Sequence, residues 1–560
     1  MTADWWKEAV VYQIYPASFN DSNNDGFGDI NGITQKLDYL CSLGIRIIWI
    51  SPYFKSPYID NGYDISDYRA IDPRFGTMED WENMLREMHN RGLKLIMDLV
   101  VNHCSDQHKW FQEAKKSKDN PYRDYFIWKD PKPDGMPPNN WTSYFNGPAW
   151  EYEPLTNQYY LHLFSKEQPD LNWENPRLRE EIYDIMHYWI GKGVDGFRLD
   201  VMHAYGKTPG LPDGRMDGTL PVGAEHFSSL PLNHAYMKEM NREVFSKYDI
   251  FTVGETDGIT IDDALRYTAE AAEEVNTVFQ FQHVNIDSVY EERWLADSPL
   301  PVRAFKSCLA DWQRGLDLEG WNSLYLSNHD QPRQVSRFGN DETYWAESAK
   351  MLATIMHLQK GTPFVYQGEE IGMTNCPVHD ISEVQDIESI HAYNEYLSQG
   401  LATREEMLAG ISRRGRDNSR TPMQWNRTAN AGFSENTPWL HVNKNYKEIN
   451  VESQLNCEDS IYHYYRKLIH LRSQYPIVVY GSFTEFYRDS DSIFCFTRSL
   501  GNQVLLVTAN MTAERVEYKV PGAVSYTKSS LYISNYPTGQ SPHDCVLRPY
   551  EASAYLLVKH

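Results

Sequence analysis

The polar residues that close short apolar runs are where this sequence can do chemistry. The run at 94–103 contains Asp98 and ends in Asn102 and His103. The run at 196–201 carries Arg198 and Asp200, and the run at 250–255 ends in Glu255. The run at 324–330 ends in Asn328, His329 and Asp330. Converging carboxylates without metal-ligand spacing point to acetal cleavage, in which one group protonates the leaving oxygen and another attacks or stabilises an oxocarbenium-like carbon. Neighbouring strands lie about 4.8 Å apart. Asp200 and Glu255 at the ends of such a pair would meet the roughly 5–5.5 Å carboxyl separation of a retaining mechanism. Arg198 lies two residues before Asp200 and so points to the same side of its strand. A guanidinium there is expected to lower the Asp200 pKa and keep the nucleophile ionised. Glu255 has to start the reaction protonated.

For these residues to meet, the runs that carry them must be strands whose ends converge. Eight short apolar runs fit buried strands, at 10–16, 45–52, 94–103, 196–201, 250–255, 275–281, 324–330 and 363–369. Helical spacing separates them: Ile33, Leu37 and Leu40 fall at i, i+4, i+7, and Trp81, Met84, Leu85 and Met88 at i, i+3, i+4, i+7. Strand and helix patterns in alternation imply parallel βαβ units, and eight of them predict an α/β protein built on a closed (β/α)8 TIM barrel. An open doubly wound sheet is the competitor, but no G-x-G-x-x-G follows the first run. The barrel is expected in two parts, 1–104 and 175–480. Residues 105–174, polar, aromatic and rich in Pro and Gly, are too long for a simple loop and predict an inserted domain after strand 3. A second polar insertion covers about 372–438. Beyond 481, short runs at 492–498, 503–508, 516–520 and 552–558 predict a C-terminal β-sandwich domain.

Composition narrows the function classes. The 560 residues hold 53 Lys and Arg against 77 Asp and Glu, a formal charge of −24. So acidic a chain is a poor partner for nucleic acid or anionic lipid. No apolar run reaches the roughly 18 residues of a membrane helix, and the first ten residues have neither the basic nor the apolar region of a secretory signal. The seven scattered cysteines form no C-x-x-C, and H-E-x-x-H is absent. A reducing, cytoplasmic setting is expected, with the protein a monomer or weak homo-oligomer.

Asp98-Leu-Val-Val-Asn-His103, Gly196-Phe-Arg-Leu-Asp200, Gly254-Glu255, Asn328-His-Asp330 and Gln168-Pro-Asp-Leu-Asn172 occur in the order of the α-amylase superfamily motifs, which this sequence resembles. Val11-Tyr-Gln-Ile-Tyr-Pro16, Asn61-Gly-Tyr-Asp64 and Arg420-Thr-Pro-Met-Gln-Trp425 resemble the oligo-1,6-glucosidase (isomaltase) and α-glucosidase branch. The resemblance implies retaining hydrolysis from the non-reducing end of a small oligosaccharide. It makes Asp200 the nucleophile, Glu255 the general acid/base and Asp330 the third carboxylate. His103, Arg198, His329 and Arg416 would line the glucose pocket, with Tyr63 and Asp64 closing it. Phe145 and Phe164 are expected as pocket walls or core packing. In this branch a valine next to the nucleophile, here Val201, goes with α-1,6 cleavage, and Thr256 after the acid marks dextran-type relatives.

The loop from Asp21 to Asp29 starts like an EF-hand, with oxygens at Asp21, Asn23, Asp25 and Asp29, but its twelfth position is Gly32. The resemblance implies a structural Ca²⁺ on these residues and Phe27, with no cofactor for catalysis. Without the ion, the segment reads as an Asn/Asp-Gly turn. The alternatives are a sucrose isomerase, a transglucosylating or α-1,4-active α-glucosidase, or a trehalose-6-phosphate hydrolase, which needs a basic phosphate cluster. In a different class stands a non-catalytic relative such as a transporter heavy subunit, which would carry a membrane helix.

Overall fold

The computed structural model describes residues 4–216, 221–287 and 293–559. Eight parallel strands form its centre: β1 Val11–Ile14, β2 Ile47–Ile50, β3 Lys94–Leu99, β4 Gly196–Leu199, β5 Phe251–Thr256, β6 Thr277–Gln280, β7 Ser323–Leu324 and β8 Thr362–Tyr366. The order is β6-β5-β4-β3-β2-β1-β8-β7, and a parallel bridge between Val278 and Asn322 joins the two ends into a ring. The expected barrel is therefore present. The seventh run pairs at only two residues, Ser323 with Thr362 and Leu324 with Pro363. Its polar end, Asn328 to Asp330, lies beyond the strand in the loop above.

Apolar side chains fill the ring. Trp49 of β2 stacks on Phe279 of β6 at 5.6 Å, and Phe279 meets Phe364 of β8 edge-on at 4.6 Å. This aromatic layer is the floor of the site above it. Gly196 opens β4 because a Cβ there would lie 1.9 Å from the Phe251 carbonyl oxygen of β5. The outer helices bury the predicted stripes. Met78–Asn90 starts with a Thr77–Asp80 capping box and buries Trp81, Met84, Leu85 and Met88. The Ile33, Leu37 and Leu40 stripe is shared by two short helices that meet at Lys36.

After β3 the chain leaves the barrel and builds a three-stranded antiparallel sheet from Trp128–Lys129, Gln158–Leu161 and Trp150–Glu153. It returns through Gln168 to Asn172 into the helix Pro176–Gly191. After β8, helices Ile387–Gln399, Arg404–Arg414 and Asp417–Arg420 arch back over the barrel mouth. From Ser482 the chain is a five-stranded antiparallel sheet with a separate two-stranded ribbon. Ser482–Phe486, Lys528–Ser534 and Cys545–Leu547 are strands of this region beyond the runs named above. Among the described residues no helix is long and apolar enough to cross a membrane.

Candidate active site

Arg198 is the hub of the site. It is buried on β4 and its guanidinium is shared by three carboxylates. Nη1 donates to Asp98 of β3 at 2.8 Å and to Asp200, and Nη2 meets Glu255 of β5 at 2.8 Å. Asp200 and Glu255 therefore sit on the two terminal nitrogens of one fork. Trp49 Nε1 and the Tyr63 hydroxyl donate to the other oxygen of Asp98, at 3.1 and 2.9 Å, tying the cluster to the aromatic floor.

The charge balance differs from the sequence expectation. Burial pushes the Asp200 carboxyl well above its ordinary value; Arg198 opposes this, and Glu255 and Asp98 add to it. Burial likewise raises Asp98 against the pull of Arg198 and His329. One guanidinium cannot neutralise three buried carboxylates. Arg198 favours the ionised nucleophile but does not by itself set its pKa below normal. Asp330 is the opposite case. Burial works against its charge, but His329, Arg420 and Arg416 hold its carboxyl well below the usual range. His329 Nε2 lies 2.9 Å and Arg420 Nη2 2.7 Å from it.

Val201 follows the nucleophile in a left-handed backbone conformation, φ 46° and ψ 36°. For a β-branched residue this is strained, at a cost on the order of 1–3 kcal/mol. The turn aims the Val201 N–H at Glu255 Oε2, 2.9 Å away. Strain and function coincide here, because the same kink that presents Asp200 also bonds Glu255.

These groups border a cavity of about 420 Å³ lined by Tyr63, His103, Phe145, Phe164, Asp200, Val201, Glu255, Asp330 and Arg416 among others. Arg198 and His329 lie one layer behind, holding the carboxylates. Tyr63 stacks flat on His329 at 5.1 Å. Phe145 and Phe164 pack edge to face at 5.4 Å, and Phe164 lies 5.1 Å from the His103 ring. They are walls of the cavity.

One expectation of the pocket is corrected. Asp64 does not face the cavity. It is fully buried in its own turn, where it accepts from the Ser56 hydroxyl and the N–H groups of Ile59 and Asp60 at 2.9, 2.9 and 3.1 Å, and burial pushes its carboxyl up to about 6. Asp60 takes the place assigned to it: it lines the cavity, pairs with Arg416 at 3.1 Å and accepts from Gln168 Nε2 at 3.0 Å. Thr256 is buried in the barrel wall and donates to the Phe279 carbonyl at 2.7 Å. The next residue, Asp257, reaches the cavity instead.

Arg416 lines the cavity with its guanidinium already committed to Asp386, Asp60, Asp330 and Glu388, at 2.6, 3.1, 3.4 and 3.4 Å. It clasps the β2 loop to the insertion after β8 at the wall of the cavity. Sequence reasoning missed Asp60, Asp257, Glu388, Trp294 and the mouth arginines Arg293, Arg337 and Arg414. Asp60 had a signal, being the other carboxylate of the same Asn-Gly-Tyr turn.

The Asp21–Asp29 loop folds on itself. Asp21 accepts from the N–H groups of Asn23, Asn24 and Gly26, Asn23 from Asp25, Asp25 from Phe27, and Asp29 from Ser22. Its donors are all oxygens, the chemistry calcium takes. Among the described residues, however, no three His, Cys, Asp or Glu side chains converge as a metal site. The ion is not implied by convergence.

A closed parallel barrel with a small sheet inserted after β3, and two carboxylates paired on one arginine at the strand ends, is the arrangement of a glycoside hydrolase. The alpha-amylase catalytic-domain model matches residues 13–481, and the chain belongs to that family. Within it the chain falls in the oligo-1,6-glucosidase and α-glucosidase branch. It is 52% identical to the oligo-1,6-glucosidase of Parageobacillus thermoglucosidasius over 98% of each chain. Among solved structures, Bacillus licheniformis trehalose-6-phosphate hydrolase matches with a TM-score of 0.95 at 45% identity, over 99% of this chain and 100% of that one. An isomaltulose synthase of Erwinia rhapontici NX5, in complex with its natural substrate sucrose, matches with a TM-score of 0.96 at 42% identity over 100% of both chains.

Proposed function

We propose that the protein hydrolyses α-1,6-glucosidic bonds at the non-reducing end of isomaltose and short isomalto-oligosaccharides. The observation that carries this reading is a cavity with the Asp60–Arg416 clasp in its wall and Asp200 and Glu255 paired on Arg198 beside it, an arrangement that would close behind one sugar. Asp200 attacks the anomeric carbon while Glu255 gives its proton to the departing glycosidic oxygen, and the glucosyl ester forms as the bond breaks. Glu255 then takes a proton from water, which attacks the same carbon and frees Asp200 and glucose with retained configuration. Asp330, held ionised by His329 and Arg420, accepts hydrogen bonds from the sugar hydroxyls. Val201 narrows the space beside the acid and favours the 1,6 linkage.

The mouth arginines are only partly paired: Arg337 and Arg414 share the single carboxylate Asp287 at 3.1 and 2.9 Å, and Arg293 pairs with Glu388. Two guanidiniums on one carboxylate leave a positive balance, so trehalose-6-phosphate hydrolysis stays among the readings. Sucrose isomerisation uses the same two carboxylates and remains the second reading. Product analysis on isomaltose, maltose and sucrose at equal concentration decides between them. Glucose released chiefly from isomaltose supports the proposal, isomaltulose or trehalulose from sucrose moves the protein to the isomerases, and no turnover refutes both. The proposal also includes a cytoplasmic location, supported by seven cysteines of which none is in a disulfide, a monomer or weak homo-oligomer, and a structural Ca²⁺ on Asp21, Asn23, Asp25, Phe27 and Asp29, supported by their oxygen chemistry.

A further inference from the structure

We infer that Asp257 selects the leaving group: its carboxylate accepts hydrogen bonds from the hydroxyls of a neutral leaving sugar and repels leaving groups that carry negative charge. The inference rests on the α-glucosidase reading and adds a residue to it.

Among the described residues, five other carboxylates line the cavity, and each is bonded to arginine. Asp60 and Asp330 meet Arg416, Asp200 and Glu255 meet Arg198, and Glu388 meets Arg293. Asp257 differs. Among the described residues no cation forms an ion pair with its carboxylate, and Arg293 acts on it only through its field. A carboxylate so placed keeps acceptor capacity for something that enters the cavity.

Its position says what enters. The Asp60–Arg416 clasp would close behind one sugar, so the glucose that is attacked sits there. Glu255 must reach the oxygen shared by the two sugars. Asp257 lies two residues beyond Glu255 at the end of β5, beside the cavity residues Phe281, Asn285 and Trp294 that follow β6. These stand across the barrel from the β2 loop that carries Asp60. The leaving sugar is the part of the substrate on that side.

The loop is held for the task. Burial keeps the His203 pKa down to about 4, so its ring is neutral, and Nδ1 accepts the Asp257 N–H at 3.3 Å. The Ser228 hydroxyl donates to the Asp257 carbonyl at 3.4 Å. Burial pushes the Asp257 carboxyl up to about 6, and Glu255 adds to this.

The test uses three substrates that present the same glucose to the clasp: isomaltose, p-nitrophenyl α-glucoside, whose leaving group is neutral and has no sugar hydroxyls, and p-carboxyphenyl α-glucoside, whose leaving group is an anion. Each is assayed on the full-length enzyme and on Asp257→Asn and Asp257→Ala. Intrinsic leaving-group reactivity cancels when each ratio is compared with wild type. A hydrogen bond to a charged group corresponds to roughly tenfold or more in kcat/KM. The isomaltose to nitrophenyl ratio should fall about tenfold or more in Asp257→Ala, and the carboxyphenyl to nitrophenyl ratio should rise about fivefold or more in both variants. A loss of fold or of general activity lowers all three rates together and leaves the ratios alone. Unchanged ratios overturn the inference while wild-type cleavage of isomaltose keeps the glucosidase reading. Failure of wild type on all three overturns the reading itself.

Discussion

Arg416→Met opens the clasp, and the cost can be worked out contact by contact. Four carboxylates share the guanidinium, but two keep another cation. Asp330 retains Arg420 and His329, and Glu388 retains Arg293. Asp60 keeps an amide donor from Gln168, and Asp386 keeps the Ser389 hydroxyl at 2.5 Å. Asp60 is thus left without a cation and Asp386 with only the field of Arg420, which corresponds to a loss of about 3–5 kcal/mol. The pH dependence has a definite sign. In the wild type Arg416 and Arg420 hold Asp386 below its ordinary value against burial, so its contribution is present above the ordinary carboxylate pKa and is lost as pH falls through the lower folded value. In the variant burial acts on Asp386 without Arg416, its carboxyl rises, and the penalty is relieved as pH falls through the raised value. Urea unfolding of both proteins at pH 8 and pH 5 should show the full gap at pH 8 and a smaller one at pH 5. Activity should fall roughly a hundredfold as Asp60 loses its position. A gap under about 1 kcal/mol at pH 8, or one that does not change with pH, would refute the view that the clasp is an electrostatic latch.

Four further outcomes are expected. Asp200→Asn should abolish nearly all hydrolysis, a loss on the order of 10⁴-fold or more, with an unchanged circular dichroism spectrum; activity within tenfold of wild type would remove Asp200 as nucleophile. Asp60→Asn should raise KM for isomaltose by about tenfold or more, whereas Asp64→Asn should lower thermal stability and leave KM close to wild type; the reverse pattern would restore Asp64 to the pocket. Val201→Ala or Val201→Thr should raise maltose cleavage relative to isomaltose, and an equal ratio would place linkage choice elsewhere. If the Asp21–Asp29 loop binds Ca²⁺, calcium at a hundred times its Kd adds about 2.7 kcal/mol of stability; chelation should lower the melting temperature and Ca²⁺ should restore it, while a melting temperature indifferent to both excludes the ion.

The barrel was legible because its strands are buried on both sides and read as apolar runs. The stretch Ile47–Ile50 carries no polar residue at all. The seventh run misled in length, since only Ser323 and Leu324 pair while Tyr325 and Leu326 stay apolar in the loop to pack on the floor. The C-terminal strand Lys528–Ser534 escaped because its outer half is polar and exposed. In the site, Asp200, Glu255 and Asp330 were readable as strand-end carboxylates. Asp60 and Asp64 were not distinguishable, because what separates them is Arg416, more than three hundred residues away in sequence. The Asp200 charge balance was misread for a related reason: spacing reveals Arg198, but not that Asp98 and Glu255 share it. The aglycone side, with Asp257 and Trp294, carries no motif and had to be seen in space.

Closing the ring joins the first strand to the last. Tyr15 N–H donates to Gln367 across a separation of 352 residues, and β1 pairs with β8 from Val11–Phe364 onward. On a ribosome making about 5–20 residues per second, β1 emerges roughly 20–70 seconds before its partner exists. Through that interval one edge of the nascent sheet is apolar, unpaired and open to neighbouring chains. Yield in a foreign host should therefore depend on chaperones that shield nascent chains, even though the finished barrel has no free edge.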